Sequence, residues 1–305
     1  MSVGVVIPVH GFAPYLAEAL DAVLVQDEPA AQVVVVDDGS PLPVRLHPEH
    51  RERVTLLRRD VAAGPAVARA AGVDALAPEC DLIALCDADD VWEPGKLGRQ
   101  IAAMAAPEAA EVGWCFGRAR VIGVDGRETG EQWAEPAAGR HAAAEFGAAL
   151  FSANPVPTSS VVIRRQALER VGGMLGPVRV AEDWDLWLRL CAAGCDALCV
   201  PGAVVRYRRH PGGLTADVAG LARAQLEVHA AHVALAADGA AIAAARAADL
   251  AALADGLART GDVAGALRAW ASVAEVRRLS RRERLRVGAL RVPVLRRRVG
   301  RRAAY

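Results

Sequence analysis

Residues 82–97 read LIALCDADDVWEPGKL. Leu82–Cys86 is an uninterrupted apolar run of strand length, and it stops at Asp87-Ala88-Asp89-Asp90. A short continuous apolar run ended by turn-forming acids is the pattern of a strand buried on both faces. Two further apolar runs lie upstream. Residues 2–9 (SVGVVIPV) form a buried-strand run, and Gln32–Val36 runs into Asp37-Asp38-Gly39-Ser40-Pro41, a cluster of turn formers. Between the two, Tyr15–Val25 has apolar residues at helical spacing (Leu16, Leu20, Val23, Leu24); Val54–Leu57 reads as a third short strand and Pro65–Leu76 as a helix bearing Arg69. Strands alternating with helices predict an α/β fold, a Rossmann-like and mostly parallel sheet flanked by helices, with its ligand cleft at the strand C-termini.

Past Trp92 the pattern changes. Lys96–Met104 predicts a helix, Val112–Val124 strand material and Gly126–Gly139 an irregular polar loop. After the Asn154-Pro155-Val156-Pro157 turn, Ser159–Ile163 reads as a strand and Gln166–Val171 as a short helix stopped by Gly172-Gly173. Asp183–Ala193 reads as another helix and Ala203–Arg208 as a last strand; no motif is legible in Gly139–Asn154. From Leu214 onward the chain is alanine-rich and helical. Leu253–Trp270 reads as helix, Gly-Asp turn, helix, similar to one tetratricopeptide hairpin, and a single hairpin is an appendage because such repeats need about three neighbours to bury a core. The expected divisions are 1–213, a helical appendage at 214–276 and a basic tail at 277–305.

The 305 residues are 53% hydrophobic and 24% charged, too apolar for a disordered chain and long enough for a sizeable core. The longest apolar runs fall well short of the roughly 18 residues of a spanning helix. Residues 1–9 enter a strand-like run with no basic stretch and no small-residue cleavage site, so neither a transmembrane helix nor a signal peptide is expected, and the cytoplasm is the expected compartment. In that reducing compartment Cys80, Cys86, Cys115, Cys191, Cys195 and Cys199 pack as small hydrophobes. Spacing by four would align Cys191, Cys195 and Cys199 as soft-metal ligands on one helix, but Gly194 and the strand-like Ala197–Val200 interrupt it. The net charge of zero conceals an asymmetry: Arg277–Arg302 holds twelve arginines against Glu283 alone, so that +11 there is balanced by −11 elsewhere.

Three acidic clusters carry the chemistry. Asp87, Asp89 and Asp90 at a strand end supply the hard oxygen ligands that Mg²⁺ or Mn²⁺ takes beside a diphosphate, or they form an acidic turn capping the next helix. Asp37-Asp38-Gly39-Ser40 places a carboxylate where it can accept hydrogen bonds from a nucleotide's base or ribose, or it is a good turn. Ala181-Glu182-Asp183-Trp184 puts acids at a helix start, either as caps or as a base for an acceptor hydroxyl.

Seven segments in order resemble the family-2 glycosyltransferases of the GT-A fold: VVIPVHG…YL (5–16), VVVVDDGS (33–40), Gly64…Arg69, IALCDADDVWEPGKL (83–97), SSVVIRRQALERVGGM (159–174), AEDWDLWLRL (181–190) and VRYRRH (205–210). The resemblance covers roughly residues 2–212. It implies a nucleotide-binding half at about 1–95 and an acceptor half at about 96–213. It places Pro8 and His10 in the loop lining the nucleobase, Asp38 at the base edge, Arg69 in support of the nucleotide, by carboxylate pairing or phosphate contact, and Asp87 at the ribose. Asp89 would bind the divalent ion (Mn²⁺ or Mg²⁺), with His210 completing its shell or meeting the diphosphate. Asp183 would be the catalytic base, with Glu182 and Trp184 at the acceptor. Family members often carry Asn near Ala62 and Ala70, so some loop-ordering contacts are absent here.

The function implied is inverting transfer of a sugar from a UDP-, dTDP- or GDP-linked donor to a glycan or lipid-linked acceptor, in assembly of cell-surface polysaccharide or glycoconjugate. Competing readings are a sugar-phosphate nucleotidyltransferase, against which Val6–Tyr15 offers no lysine or arginine for a phosphate loop, and a non-catalytic nucleotide-sugar-binding scaffold. Arginines interleaved with Leu285, Val287, Leu290, Val292, Val294, Leu295 and Val299 suit a peripheral contact with an anionic membrane at the inner face of the cell membrane; no nucleic-acid partner is expected.

Overall fold

The computed structural model describes residues 1–109, 111–131, 136–213 and 217–292. The chain divides into two compact units, Met1–His210 and Pro211–Tyr305.

The first unit is built on one sheet. Its opening elements are β1 (Val3–Val9), α1 (Leu16–Leu24), β2 (Gln32–Asp38), α2 (Pro48–Arg51), β3 (Thr55–Arg59), α3 (Pro65–Asp74) and β4 (Leu82–Leu85). Strands β3-β2-β1-β4 are parallel, with Ile7 opposite Val35 and Val5 opposite Ala84. Val5, Val6, Val34, Val35 and Val36 are fully buried on alternating faces, each burial stabilising by roughly 1.5–3 kcal/mol. Gly72 lets α3 lie against this layer: a Cβ there would stand 2.4 Å from Val6 Cγ1. Strands β2 and β4 end in the acidic turns that the sequence marked.

The second half of the sheet is mixed. After β5 (Val91–Trp92) and α4 (Lys96–Ala105) come β6 (Val112–Ile122), β7 (Gly139–His141), α5 (Ala143–Ser152), β8 (Val162–Arg164), α6 (Arg165–Arg170), α7 (Glu182–Ala192) and β9 (Asp196–Arg208). Strand β8 runs antiparallel between β4 and β6, β9 is parallel to β6, and β5 and β7 lie antiparallel on different parts of β9. The strand expected at Ser159–Ile163 is a 3₁₀ turn over Thr158–Ser160 followed by the shorter β8, because Ser159 turns inward to bond Asp90 while the Ser160 hydroxyl closes the turn on the Pro157 carbonyl. The last strand starts earlier than its apolar stretch suggested, at Asp196, since pairing with β6 carries it through Pro201 and Gly202. Helix α5 had no sequence signal; it docks Phe146 on a stack of Trp114, Phe116 and Trp187. Residues 132–135 of the expected polar loop lie outside the described residues. The six cysteines are buried free thiols, and α7 ends before Cys195, so the spacing by four never falls on one helix.

The second unit holds α8 (Val218–Ala231), α9 (Gly239–Thr260), α10 (Val263–Val276) and α11 (Arg281–Arg291). Asp217, Asp238 and Asp262 cap the first three through backbone N–H groups three residues on, and Ser280 with Glu283 forms a capping box for the fourth. The helix–Gly-Asp–helix hairpin is α9, Gly261 at φ 89° and α10. A buried His229–Asp249 pair at 2.5 Å joins α8 to α9. Residues 281–291 are not a detached tail, for Leu290 is 1% exposed in a core with Trp270 and Val273; residues 293–305 lie outside the described residues. No helix among the described residues is long and apolar enough to cross a membrane.

Candidate active site

The two acids ending β2 are held by different partners. Asp37, 1% exposed, accepts the N–H groups of Ser40 and Val44 and an Arg58 guanidinium contact of 2.5 Å. Burial opposes its ionisation, but these hydrogen bonds prevail and hold the carboxyl below its ordinary range. Asp38 accepts from Gly64 N at 2.7 Å and Ala63 N at 3.0 Å and pairs with Arg59. It therefore ties the β2 turn to the loop entering α3. Gly39 sits between at φ 62°, where a Cβ would come within 2.4 Å of the Ala62 nitrogen. His10, at the exposed end of β1, donates from Nδ1 to the Asp38 carbonyl at 2.8 Å, and Pro8 stands opposite Val36 in the ladder.

Asp38 is therefore also sealed, 3% exposed with both oxygens engaged, rather than open to a base edge as expected, whereas the acids after β4 divide into one buried and two half-exposed. Asp90 is 1% exposed, accepts from the Ser159 hydroxyl at 2.6 Å and from Arg208 N at 2.9 Å, and is pushed to a high pKa by burial and by Asp89 and Asp87. Ser159 Oγ also accepts the Asp87 N–H at 2.9 Å. Asp90 and Ser159 are thus the floor of the turn. Asp87 and Asp89 face outward. Asp87 Oδ1 receives an Arg69 guanidinium N–H at 2.5 Å, and Asp89 Oδ2 receives His210 Nε2 at 2.8 Å. Burial and the Asp87 charge raise the Asp89 pKa, while His210 opposes the rise.

Arg69 joins this turn to α7. Its guanidinium, 4% exposed, pairs with Asp87 and with Glu182. Burial alone would weaken its hold on the proton, but the two carboxylates, with Asp183 farther off, strengthen it beyond the ordinary range. Glu182 is raised by burial, and Arg69 counters the rise. The segment opens at Ala181, the one non-glycine residue with positive φ (58°) among the described residues, immediately before Glu182 and Asp183. Asp183 is half-buried; its Oδ2 accepts the Thr158 hydroxyl at 2.8 Å and its Oδ1 accepts the Trp184 N–H at 2.7 Å.

Two further expected roles change. Trp184 is no acceptor wall: it is 5% exposed, and its indole N–H donates to the Leu150 carbonyl. Glu182, expected at the acceptor, is 7% exposed and pairs with Arg69, whose guanidinium is engaged by carboxylates on both arms. Thr158, Ser159 and Arg208 had no assigned role. Arg208 donates to the Asp89 carbonyl, the Gly123 carbonyl and Glu18, and its guanidinium lies 4.2 Å from the Tyr15 ring centre. The signal for Ser159 and Arg208 was their position inside matched segments; Thr158, one residue ahead of the segment that opens at Ser159, had none.

No three His, Cys, Asp or Glu side chains among the described residues converge as a metal cage. Asp89 and His210 are an oxygen–imidazole pair, which fits an ion whose shell is completed by diphosphate oxygens and water, the usual manner for small divalent cations at nucleotides.

Two curated relatives share parts of the sequence. The succinoglycan biosynthesis protein ExoW of Rhizobium meliloti (strain 1021) is 39% identical over 99 residues, 30% of this chain and 31% of its own. An uncharacterized glycosyltransferase of Nostoc sp. is 27% identical over 210 residues, 65% of this chain and 60% of its own. The chain thus spans from about a third to three fifths of the length of these relatives. Among solved structures, S. aureus TarS 1–349 in complex with UDP-GlcNAc aligns with a TM-score of 0.64 at 16% identity, over 98% of this chain and 88% of that one. The mannosyltransferase PcManGT from Pyrobaculum calidifontis, in complex with GDP-Man and Mn²⁺, aligns at 0.58 and 20% identity, over 98% and 86%. Both share the fold. The model of glycosyl transferase family 2 matches residues 4–171, more than half of the chain, and the protein is a member of that family.

Proposed function

We propose that this protein transfers a sugar from a nucleoside-diphosphate sugar to an acceptor hydroxyl, inverting the anomeric centre in a single displacement. The observation that carries the reading is the Arg69 bridge: one buried guanidinium joins Asp87, beside the candidate ion ligand Asp89, to Glu182, beside the candidate base Asp183. Donor and acceptor chemistry then share one wall. Pro8, His10 and the Asp38 turn line the base, and Asp87 meets the ribose. Asp89 and His210 would hold Mn²⁺ or Mg²⁺, imidazole favouring Mn²⁺. When bound, such an ion neutralises charge on the departing diphosphate as a Lewis acid.

Asp183 takes the proton from the attacking hydroxyl. Each of its oxygens accepts one protein hydrogen bond and keeps a lone pair for that transfer. Glu182 acts from beneath: buried and paired with Arg69, it fixes the start of α7. TarS and PcManGT are described with UDP-GlcNAc and with GDP-Man and Mn²⁺, and ExoW is named for succinoglycan biosynthesis, which supports a nucleotide-sugar donor and a polysaccharide setting. A lipid-linked acceptor would bring the reaction to the inner face of a membrane.

Calorimetric titration of UDP, GDP and dTDP, with and without Mn²⁺, into the wild type and Asp89→Ala tests the donor site. Metal-dependent binding of one nucleotide, lost in the variant, is the expected result. Binding of none of the three, with or without the ion, would refute the reading.

A further inference from the structure

Helix α11 has two unlike faces. Its inner face places Leu290 and Val287 in the core of the second unit with Trp270 and Val273. At 3.6 residues per turn the opposite line carries Arg281, Leu285, Gly288 and, at the C-cap, Val292. Arg284 and Arg291 flank this line on one side and Arg282 and Arg286 on the other. All of these residues are exposed, Leu285 by 66% and Val292 by 44%.

The charge on this face is nearly all of one sign. Glu283, the only acid on the helix, is spent on Arg277 and the capping box, and Arg286 pairs with Asp255. Arg278, Arg281, Arg282, Arg284 and Arg291 make no ion pair among the described residues. Such a concentration of unpaired cations is complementary to an anionic surface. Two exposed apolar side chains at its centre fit a surface with an apolar interior just below the charge, where arginine stems lie flat and guanidinium heads stay wet. A nucleic-acid backbone offers nothing to Leu285 and Val292.

We propose that the outer face of α11 is the surface by which this protein contacts an anionic bilayer, lying on the headgroups with Leu285 and Val292 dipping beneath them. The attraction is mainly electrostatic, each basic residue contributing roughly fivefold in partition. The contact does not depend on the transfer reaction, so its failure would leave that reading standing.

The test is co-sedimentation of the full-length protein with phosphatidylcholine vesicles, with and without phosphatidylglycerol, at low and high salt. Binding is expected only with the anionic lipid, falling steeply as salt screens it. Combined Arg281→Glu, Arg284→Glu and Arg291→Glu should lower partition by more than about 100-fold, and Leu285→Ser should lower it severalfold at unchanged charge. Circular dichroism checks that both variants keep their helices, since every altered side chain is exposed. Wild-type protein that ignores anionic vesicles, or a triple variant that binds them equally well, overturns the proposal. So does duplex RNA that displaces the protein from vesicles while Leu285→Ser changes neither affinity, because the face would then read as a general polyanion patch.

Discussion

The Thr158 hydroxyl donates a 2.8 Å hydrogen bond to Asp183 Oδ2 across 25 residues of chain. The bond aims a carboxylate in the first turn of α7, two residues after the left-handed Ala181. If Asp183 is the base, aim governs rate more than binding. Asp183→Asn should abolish transfer, as general-base catalysis is worth about 10²–10⁴-fold. Thr158→Val should lower kcat by about tenfold or more with the donor KM unchanged, and Thr158→Ser should restore most of it. Equal kcat in Val and Ser variants would show that the hydroxyl does not position the base.

Arg69 is the single cation between two carboxylates in a buried setting. Removing one member of such a group leaves uncompensated charge, which costs about 3–5 kcal/mol. Arg69→Met should therefore lower the urea midpoint sharply, whereas a surface change such as Arg127→Met should leave it within about 0.5 kcal/mol. A loss for Arg69→Met below about 1 kcal/mol would mean that water reaches the bridge.

Lys96 gives a pH signature. It is fully buried at the start of α4, its Nζ 3.9 Å from the Trp92 ring centre, with no hydrogen-bond acceptor among the described residues and the Cys86 and Cys115 thiols facing it. Burial pulls its pKa from 10.5 down to about 7. Between those values the unfolded chain binds a proton that the folded chain has released, so this residue makes stability rise with pH, by at most about 1.4 kcal/mol per unit. Buried thiols act oppositely: Cys115 is pushed up to about 12, so the unfolded chain loses that proton first and stability falls as pH climbs. Comparing wild type with Lys96→Met isolates the lysine. The variant should be more stable at neutral pH, and its advantage should shrink steadily towards pH 10; denaturation series with parallel pH profiles would contradict this.

Gly39 tests the β2 turn. Any side chain there meets the Ala62 backbone at 2.4 Å in a left-handed conformation. Gly39→Ala should cost at least about 1–3 kcal/mol and weaken nucleotide binding, because the displaced loop carries the Ala63 and Gly64 N–H groups that hold Asp38. Gly64→Ala has open space around its Cβ and should cost only the strain of its φ of 90°. Equal losses in thermal unfolding would remove the steric explanation.

The order of strands and helices through Leu85 was legible because the buried parallel strands β1, β2 and β4 are continuous apolar runs, the last two with turn-forming acids at their ends, a local pattern set by burial on both faces. Legibility faded after Trp92, where strands pair across 40 or more residues and side chains such as Ser159 turn inward to serve another element. The three acidic clusters were also readable as clusters. Their division of labour was not.

The sequence by itself determined an α/β sheet with carboxylates gathered at its strand ends, since hydrophobic period and turn chemistry act over a few residues. Only the tertiary structure decided which carboxylate in each run is structural and which is open to chemistry. Asp37 and Asp90 are claimed by Arg58, Ser159 and Arg208, Glu182 by Arg69, and Asp87, Asp89 and Asp183 keep accessible edges beside the partners that aim them. The reason is physical: adjacent acids are chemically alike, and what separates them is burial and hydrogen-bond donors delivered from 18 to 121 residues away.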